Sequence, residues 1–434
     1  MGVRTVLARA LGREIEAGMT SSSSGVAPAP ARSSAELYYD PYDYVIDADP
    51  HPIWRRMRDE APLYRNDRYD FYALSRFDDV LAASLDTETY SSAWGTVLEM
   101  MHDEPNRDGA MMIWLDPPAH TRLRKLVSRA FSPQRIAALE DEIRRIAASC
   151  LDRYVGARGF DYVTDFGAKL PMMVIGAMLG VPEEDRDAIR LWTDEMLHRN
   201  PGESVASARL AKVYRQLWEY FARYVHERRQ HPKDDMMTDL IEAEVVDGGS
   251  VRRLDDAELV AFISLLSGAG NETVARLIGW AGTTLARFPQ ERQRLVADFG
   301  KIPNAVEELL RHEAPSPVQA RRVTRDVEWY GTRVPAGAKM VLLTGSAGRD
   351  ERRYPDADRF DVDRQFERQV SFGYGIHFCL GASLARLEGR IAIEETLRRF
   401  PTWEVDHNGA EMVHTSTVRG WARLPILLSA RPVM

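Results

Sequence analysis

Cysteine is the scarcest resource of this 434-residue sequence, which holds only Cys150 and Cys379. Two cannot build a disulfide framework, and no Cys-x-x-Cys pair or Cys/His cluster has the spacing of a zinc site. Usage this sparse fits a reducing cytosol. No run approaches the ~18 consecutive apolar residues of a membrane span. Positive charge is also short. The 57 Lys and Arg stand against 65 Asp and Glu, a formal charge of −8, which argues against the basic surface that non-specific nucleic-acid binding needs. No repeat recurs at a fixed period, so solenoids and propellers are set aside.

What is present is the composition of a globular protein with a sizeable core, 44% hydrophobic and 28% charged. Val3, Leu7, Leu11 and Ile15 fall at helical spacing, but Arg4, Arg9, Arg13 and Glu14 interrupt them. Residues 1–20 therefore read as a frayed helix and not as a secretory signal. SSSSGVAPAPARSS, residues 21–34, is small, polar and proline-bearing, the composition of a tether. The expectation is a tail over 1–35 and a single domain over 36–434.

From residue 37 to about residue 311 the pattern is mostly helical, with helices expected at 133–155, 167–180 and 183–230. The strongest element runs from Leu254 to Phe288. Asp255 and Glu258 give it a capping-box-like start, and the residues after them are apolar almost all round. Such a helix crosses the interior over roughly 45–50 Å. After Arg322 the segments DVEWYG, TRVPAG and KMVLLT alternate β-branched and aromatic residues with turn signals, and the tail HTSTVRGWARLPILLSA reads as a further pair of strands. The fold class is mainly α with a minor β region.

The chemistry concentrates in SFGYGIHFCLGASLARLEGR, residues 371–390. Gly373 and Gly375 precede Cys379, and Leu380, Leu384, Leu387 and Ile391 then mark a helix. A cysteine just before a helix start meets unpaired N–H groups and the positive end of the macrodipole, which favour a thiolate. A thiolate can be a nucleophile or a metal ligand. An isolated free cysteine is more often just a small buried residue, but this one has neighbours. Phe372, Gly375, His377, Cys379 and Gly381 form F-x-x-G-x-H-x-C-x-G, which resembles the haem-binding signature of the cytochrome P450 family. The resemblance implies that the Cys379 thiolate is the axial ligand of haem b, iron protoporphyrin IX, lying between the long central helix and the helix after the cysteine. It implies that Phe372, Gly373 and Gly381 shape the loop against the macrocycle and that His377 faces a propionate.

Three further stretches match the same family in the same order. GAGNET interrupts the apolar helix. Thr273 could bond back to the carbonyl of Ala269 and bend the helix, but a lone buried Glu272 would be costly. Residues Ala269 to Thr273 look like the family's A-G-x-E-T motif, which implies that Glu272 and Thr273 deliver protons during oxygen activation and that the helix distorts locally to make room for O₂. VEELLRHE supplies Glu308 and Arg311. Exposed, such a pair would contribute only about 0.2–0.5 kcal/mol. It is similar to the family's buried E-x-x-R pair, and Arg359 in ADRF is the candidate third member, with Ala357 where proline is usual. In HTRLRKLVSRAF, His120 and Arg124 lie four apart on one side of a helix with Leu123, Val127 and Ala130 adjoining. The pair resembles the family's propionate-binding helix, and Arg321 matches a further propionate arginine.

Arg122, Lys125 and Arg129 occupy the opposite side of that helix. They read either as a solvated basic face or, with Arg386 or Arg390, as a docking patch for an electron donor. GYGIHF and GAGNET both lack the third glycine of a dinucleotide fingerprint, and no cysteine set could hold an iron–sulfur cluster. Electrons, ultimately from NAD(P)H, are therefore expected from a ferredoxin or flavodoxin with its reductase. By resemblance the substrate pocket includes Trp94, Met101, Met112, Leu265, Val318 and Thr417, and methionine suits an adaptable apolar site. The expected protein is a soluble, cytoplasmic, monomeric monooxygenase acting on an apolar small molecule. Two other classes stay open: a peroxide-using or rearranging haem-thiolate enzyme, and a non-catalytic haem or ligand carrier. Retention of Glu272 and Thr273 argues for the monooxygenase and against both of these.

Overall fold

Seven helices frame the site in the computed structural model, which describes residues 36–106, 111–128, 130–200, 208–247 and 249–428. They are α1 (Ala119–Val127), α2 (Lys169–Leu179), α3 (Glu183–Leu197), α4 (Ala208–Gln230), α5 (Asp256–Arg287), α6 (Ile302–His312) and α7 (Ala382–Arg399). The expected tail over 1–35 and the end of the expected domain, 429–434, lie outside the described residues. No helix among the described residues is long and apolar enough to cross a membrane.

The central helix α5 begins as its sequence dictates. The Asp255 side chain accepts from the Glu258 N–H at 2.9 Å, and the Glu258 carboxylate accepts from the Asp255 N–H at 3.1 Å. This reciprocal cap satisfies two donors that a helix start otherwise leaves open. Beyond it, Leu259, Val260, Ile263, Val274, Leu277, Ile278 and Leu285 are all buried. Helices α2, α3, α4, α6 and α7 all pack on α5. Gly270 lets α2 approach closely, since a Cβ there would stand 3.1 Å from Ile175 Cδ1. The stretch 183–230 carries two helices, α3 and α4.

The β region is larger than the sequence pattern indicates. Strands β1 (Leu63–Asn66), β2 (Phe71–Leu74), β3 (Tyr90–Ser91), β4 (Gln319–Val323) and β5 (Lys339–Leu342) form one sheet in the order β1-β2-β5-β4-β3, with only β2 and β5 parallel. β1 and β2 fall where helix was expected. Each is four residues long, too short for a period-2 signal to stand out, and the turn between them uses Asp70 at φ 54°. A second unforeseen hairpin pairs Glu244–Asp247 with Ser250–Arg253. The two tail strands exist, but they do not pair with each other. Trp421–Arg423 pairs with Glu411–Met412, while Pro425–Leu428 inserts between Trp403–Val405 and Gly159–Asp161. Long-range pairing of this kind leaves no local trace in a sequence.

Candidate functional site

The Cys379 loop is a rigid turn fixed by its glycines. Gly373 and Gly375 have φ of +69° and +71°, and a Cβ at 375 would stand 2.9 Å from the Ser84 carbonyl oxygen. The Cys379 N–H donates to the Phe372 carbonyl at 2.9 Å, and Gly381 caps the start of α7. The Cys379 side chain has open surface, but it opens into an internal cavity of about 270 Å³. Burial there raises the thiol above its usual range; the Gly381 N–H, Arg124 and Arg386 offset this only in part. The helix start alone therefore does not make a thiolate. A nucleophilic cysteine needs a lowered pKa, whereas a metal deprotonates a coordinating thiol outright. The balance favours the ligand reading over the nucleophile.

Four donors converge on the same cavity. His120 and Arg124 reach it from α1, Arg321 from β4 and His377 from the cysteine loop. The His120 and His377 rings are 4.4 Å apart. His120 has no partner at either ring nitrogen, and His377 has none at Nε2. Burial, with Arg124 beside it, pushes His120 down to about 4. Burial, then Arg321, His120 and Arg124, lowers His377 further still. Burial also lowers Arg321, to about 10. Asp116, the carboxylate that acts on His120 and Arg321 among the described residues, accepts from the Ser91 hydroxyl and the Ser92 N–H. Arg321 spends one Nη1 bond on the Ala320 carbonyl, but cationic and donor groups gathered with no carboxylate bonded to them fit a ligand bearing carboxylates. Nothing would stand within 4 Å of a Cβ at Gly381, which leaves room for a flat ring over the start of α7. A thiol ligand below and carboxylate-binding donors at the edge match haem.

The opposite wall is one face of α5. Phe262, Leu265, Leu266, Ala269, Gly270, Thr273, Val274 and Leu277 recur at the spacing of a helical stripe. The Thr273 hydroxyl donates to the Ala269 carbonyl at 2.8 Å, yet the helix runs unbroken through this turn. The hydroxyl thus bonds back to the preceding turn without ending the helix. Glu272 is turned off the cavity face. Its carboxylate accepts from Arg276 Nε at 3.1 Å and Nη2 at 2.5 Å. Burial raises its pKa, but Arg276 outweighs burial and holds it below the usual range. Asp194 of α3 is raised by burial and by contact with Glu272, so it is Asp194 that keeps the proton of this pair. Glu272 is thus not a lone buried acid. The i,i+4 spacing to Arg276 was the sequence signal for it.

Glu308 and Arg311 are both fully buried, with Arg311 Nε and Nη2 donating to the two carboxylate oxygens at 2.7 and 2.8 Å. Arg311 also donates to the carbonyls of Gly348, Ala357 and Arg359. The third charged member is not Arg359, whose side chain is 60% exposed. It is Arg364, whose Nε donates to Glu308 Oε1 at 3.0 Å. Arg359 contributes its backbone carbonyl instead, because the turn at Asp356–Arg359 points its side chain outward. Ser371 just upstream of the cysteine loop donates to the Leu310 carbonyl, tying that loop to α6.

Of the expected pocket residues, Met112 and Leu265 line the cavity; Trp94, Met101, Val318 and Thr417 do not. Strand parity explains Val318. Gln319 and Arg321 of β4 face the cavity, so Val318 and Ala320 face the other way, into a cluster with Leu98, Val341 and Met101. Thr417 donates its hydroxyl to the Val318 carbonyl behind that wall, and the Trp94 carbonyl accepts from the His102 N–H. On the outer face of α1, Lys125 is exposed and Arg122 half-buried, while Arg129 lies outside the described residues. Arg386 pairs with Glu307, and Arg390 with Glu140 and Glu394, so neither is a free docking cation.

A family model described as cytochrome P450 matches residues 301–426. The chain is 42% identical to the putative cytochrome P450 123 of Mycobacterium tuberculosis over 91% of its own length and 98% of that protein. Among solved structures, a mutant of P450 EryK of S. erythraea in complex with erythromycin B superposes with a TM-score of 0.81 at 33% identity, covering 89% of this chain and 98% of that one. CYP109E1 of Bacillus megaterium in complex with testosterone superposes at 0.80 with 30% identity, over 88% and 98%.

Proposed function

The chain belongs to the cytochrome P450 family of haem-thiolate monooxygenases, and from that premise we propose that it oxidises an apolar small molecule with electrons from a separate ferredoxin or flavodoxin and its reductase. One observation supports this reading above the others: Cys379 and Thr273 line the same cavity, one below and one above the space that four carboxylate-binding donors edge. Bound there, haem supplies the redox centre at which one atom of O₂ is inserted into substrate and the other is reduced to water. The chain's own residues do the rest. Cys379 would hold the iron through its sulfur, with the Gly381 N–H tuning that sulfur. His120, Arg124, Arg321 and His377 would orient the propionates. Phe262, Leu265, Leu266, Ile175, Met112 and Ile113 exclude water from an apolar wall. That wall suits a largely hydrocarbon substrate, and testosterone, bound in the similar CYP109E1 structure, is a molecule of that kind. Thr273 Oγ1, on the wall that faces Cys379, would hold a proton toward the space the haem would border. The protein acts as a monomer in the cytoplasm.

Thr273→Ala tests the assignment. With NAD(P)H, ferredoxin, reductase and O₂, the wild type forms product. A positioned proton donor contributes about 10²–10⁴-fold, so the variant should bind haem normally and lose at least about tenfold in product formed per NAD(P)H, with the electrons recovered as peroxide or water. Full coupling in the variant would remove Thr273 from this role, and product from peroxide alone, without NAD(P)H, would favour the peroxide-using class.

Lys125 is the exposed cation of the α1 face. Lys125→Glu should slow reduction by an acidic ferredoxin several-fold at low ionic strength, with the difference vanishing near ~1 M salt, where the Debye length falls to about 3 Å. Stopped-flow rates equal to wild type at low salt would place the docking surface elsewhere.

A further inference from the structure

Ser316, Gln319 and Thr344 are polar residues of the cavity wall that the reading above leaves without a role. Gln319 is held from behind by its strand, where β4 pairs it with Leu342 of β5, and Thr344 follows two residues after that partner. Leu342 and Pro315 are their apolar neighbours on the same wall.

The hydrogen bonds of the three run in one direction. The Thr344 hydroxyl donates to the Ser316 carbonyl at 2.9 Å, and the Ser316 hydroxyl donates to the Thr417 carbonyl at 3.2 Å. A hydroxyl has one proton to give. With that proton spent, Ser316 Oγ can only accept, and it accepts from Gln319 Nε2 at 2.9 Å. An amide donates through nitrogen alone, so the chain of bonds fixes which end of the Gln319 side chain faces Ser316. The other end, Oε1, accepts no bond among the described residues. The side chain is half-buried, and its open surface is toward the cavity.

Water meets such an oxygen while the pocket is wet. A wholly apolar occupant that displaces this water leaves the oxygen unpaired and is penalised for it. A carboxylate brings no proton to Oε1. An ammonium would donate, but Arg321 stands two residues along the same strand, roughly 7 Å away, and like charges so close in a dry pocket repel. The occupant that satisfies this wall is neutral and donates a proton.

We propose that Gln319 is a specificity-determining residue and that the substrate is a mainly hydrocarbon molecule carrying a neutral hydroxyl that donates to Gln319 Oε1. The idea rests on the monooxygenase reading and narrows its substrate. Because Ser316 and the β4–β5 pairing fix the amide beforehand, little ordering is needed when the hydroxyl arrives. Holding the hydroxyl there sets which stretch of the hydrocarbon reaches the space between Thr273 and Cys379.

The test uses the haem-loaded full chain and a series of 1-alkylimidazoles of increasing chain length, each paired with its ω-hydroxy counterpart. Imidazole nitrogen is a metal ligand, so the ring end is fixed at the iron, the Soret shift reads binding, and chain length scans the distance to Gln319. Plain members should bind more tightly as the chain grows. The ratio of plain to hydroxylated Kd should peak at one range of lengths in the wild type. In Gln319→Leu that peak should fall by about three- to tenfold, the worth of one hydrogen bond. Gln319→Glu keeps an acceptor and should keep the peak. A flat wild-type ratio, the same peak in Gln319→Leu, or its loss in Gln319→Glu would each overturn the proposal. If Gln319→Leu does not take up haem, Gln319→Met, unbranched like glutamine, takes its place in the comparison. Plain members that do not bind, or gain nothing with length, would defeat the apolar-substrate reading itself, whereas a rising plain series with a flat ratio defeats only this one.

Discussion

Cys379→Ser should abolish monooxygenation while leaving the fold in place. Serine preserves the size of the side chain and the Cys379 N–H bond to the Phe372 carbonyl, and the turn depends on Gly373 and Gly375 and not on sulfur. What is lost is the soft, anionic donor. A hydroxyl cannot push electron density to the metal as a thiolate does. Losing even a residue that only supports a metal ligand costs about 10–100-fold, so loss of the ligand itself should exceed that range. The far-ultraviolet circular dichroism should match the wild type, and product should fall below detection. Retained turnover in the serine variant would show that another side chain holds the metal.

Glu308→Ala should be the most damaging substitution for stability. It leaves Arg311, which is fully buried, and Arg364 without their shared carboxylate. Removing one partner of a buried ion pair costs about 3–5 kcal/mol, a large part of the roughly 5–15 kcal/mol that holds a protein folded. The loss should also reach the cofactor. Glu308 accepts from the Asp361 N–H, Arg311 holds the carbonyls of residues 348, 357 and 359, and Ser371 ties the cysteine loop to the same helix. Denaturant titration should show an earlier midpoint and purification should give less haem per chain. Arg359→Ala is the control. An exposed side chain away from the network should change stability by no more than about 0.5 kcal/mol. If Arg359→Ala were as damaging as Glu308→Ala, the assignment of Arg364 as third member would be wrong.

The residues that were legible in the sequence are those whose chemistry is local. The glycines before Cys379 need positive φ, the Asp255–Glu258 cap closes within four residues, and His120 and Arg124 share a helix face by spacing alone. All three appear in the structure where the sequence placed them. The misses are long-range or depend on parity. Arg364 differs from Arg359 by five positions in a loop without regular structure, where no period says which side chain points inward. Val318 and Gln319 exchange roles because a shift of one residue along a strand reverses the face. Glu388 sits in the middle of a helix whose charged residues otherwise pair with neighbours, and only the packing of α7 on α5 reveals that it has no partner. The strands at Leu63–Leu74 depend on pairing with Lys339–Leu342, more than 260 residues away in sequence.

Reduction of the wild-type chain under carbon monoxide, after expression with haem available, tests the central assignment most directly. A sulfur anion on the iron predicts the strongly red-shifted Soret band of a thiolate-ligated ferrous–CO complex. A colourless preparation, or the unshifted band of iron held by an imidazole such as His120 or His377, would contradict it.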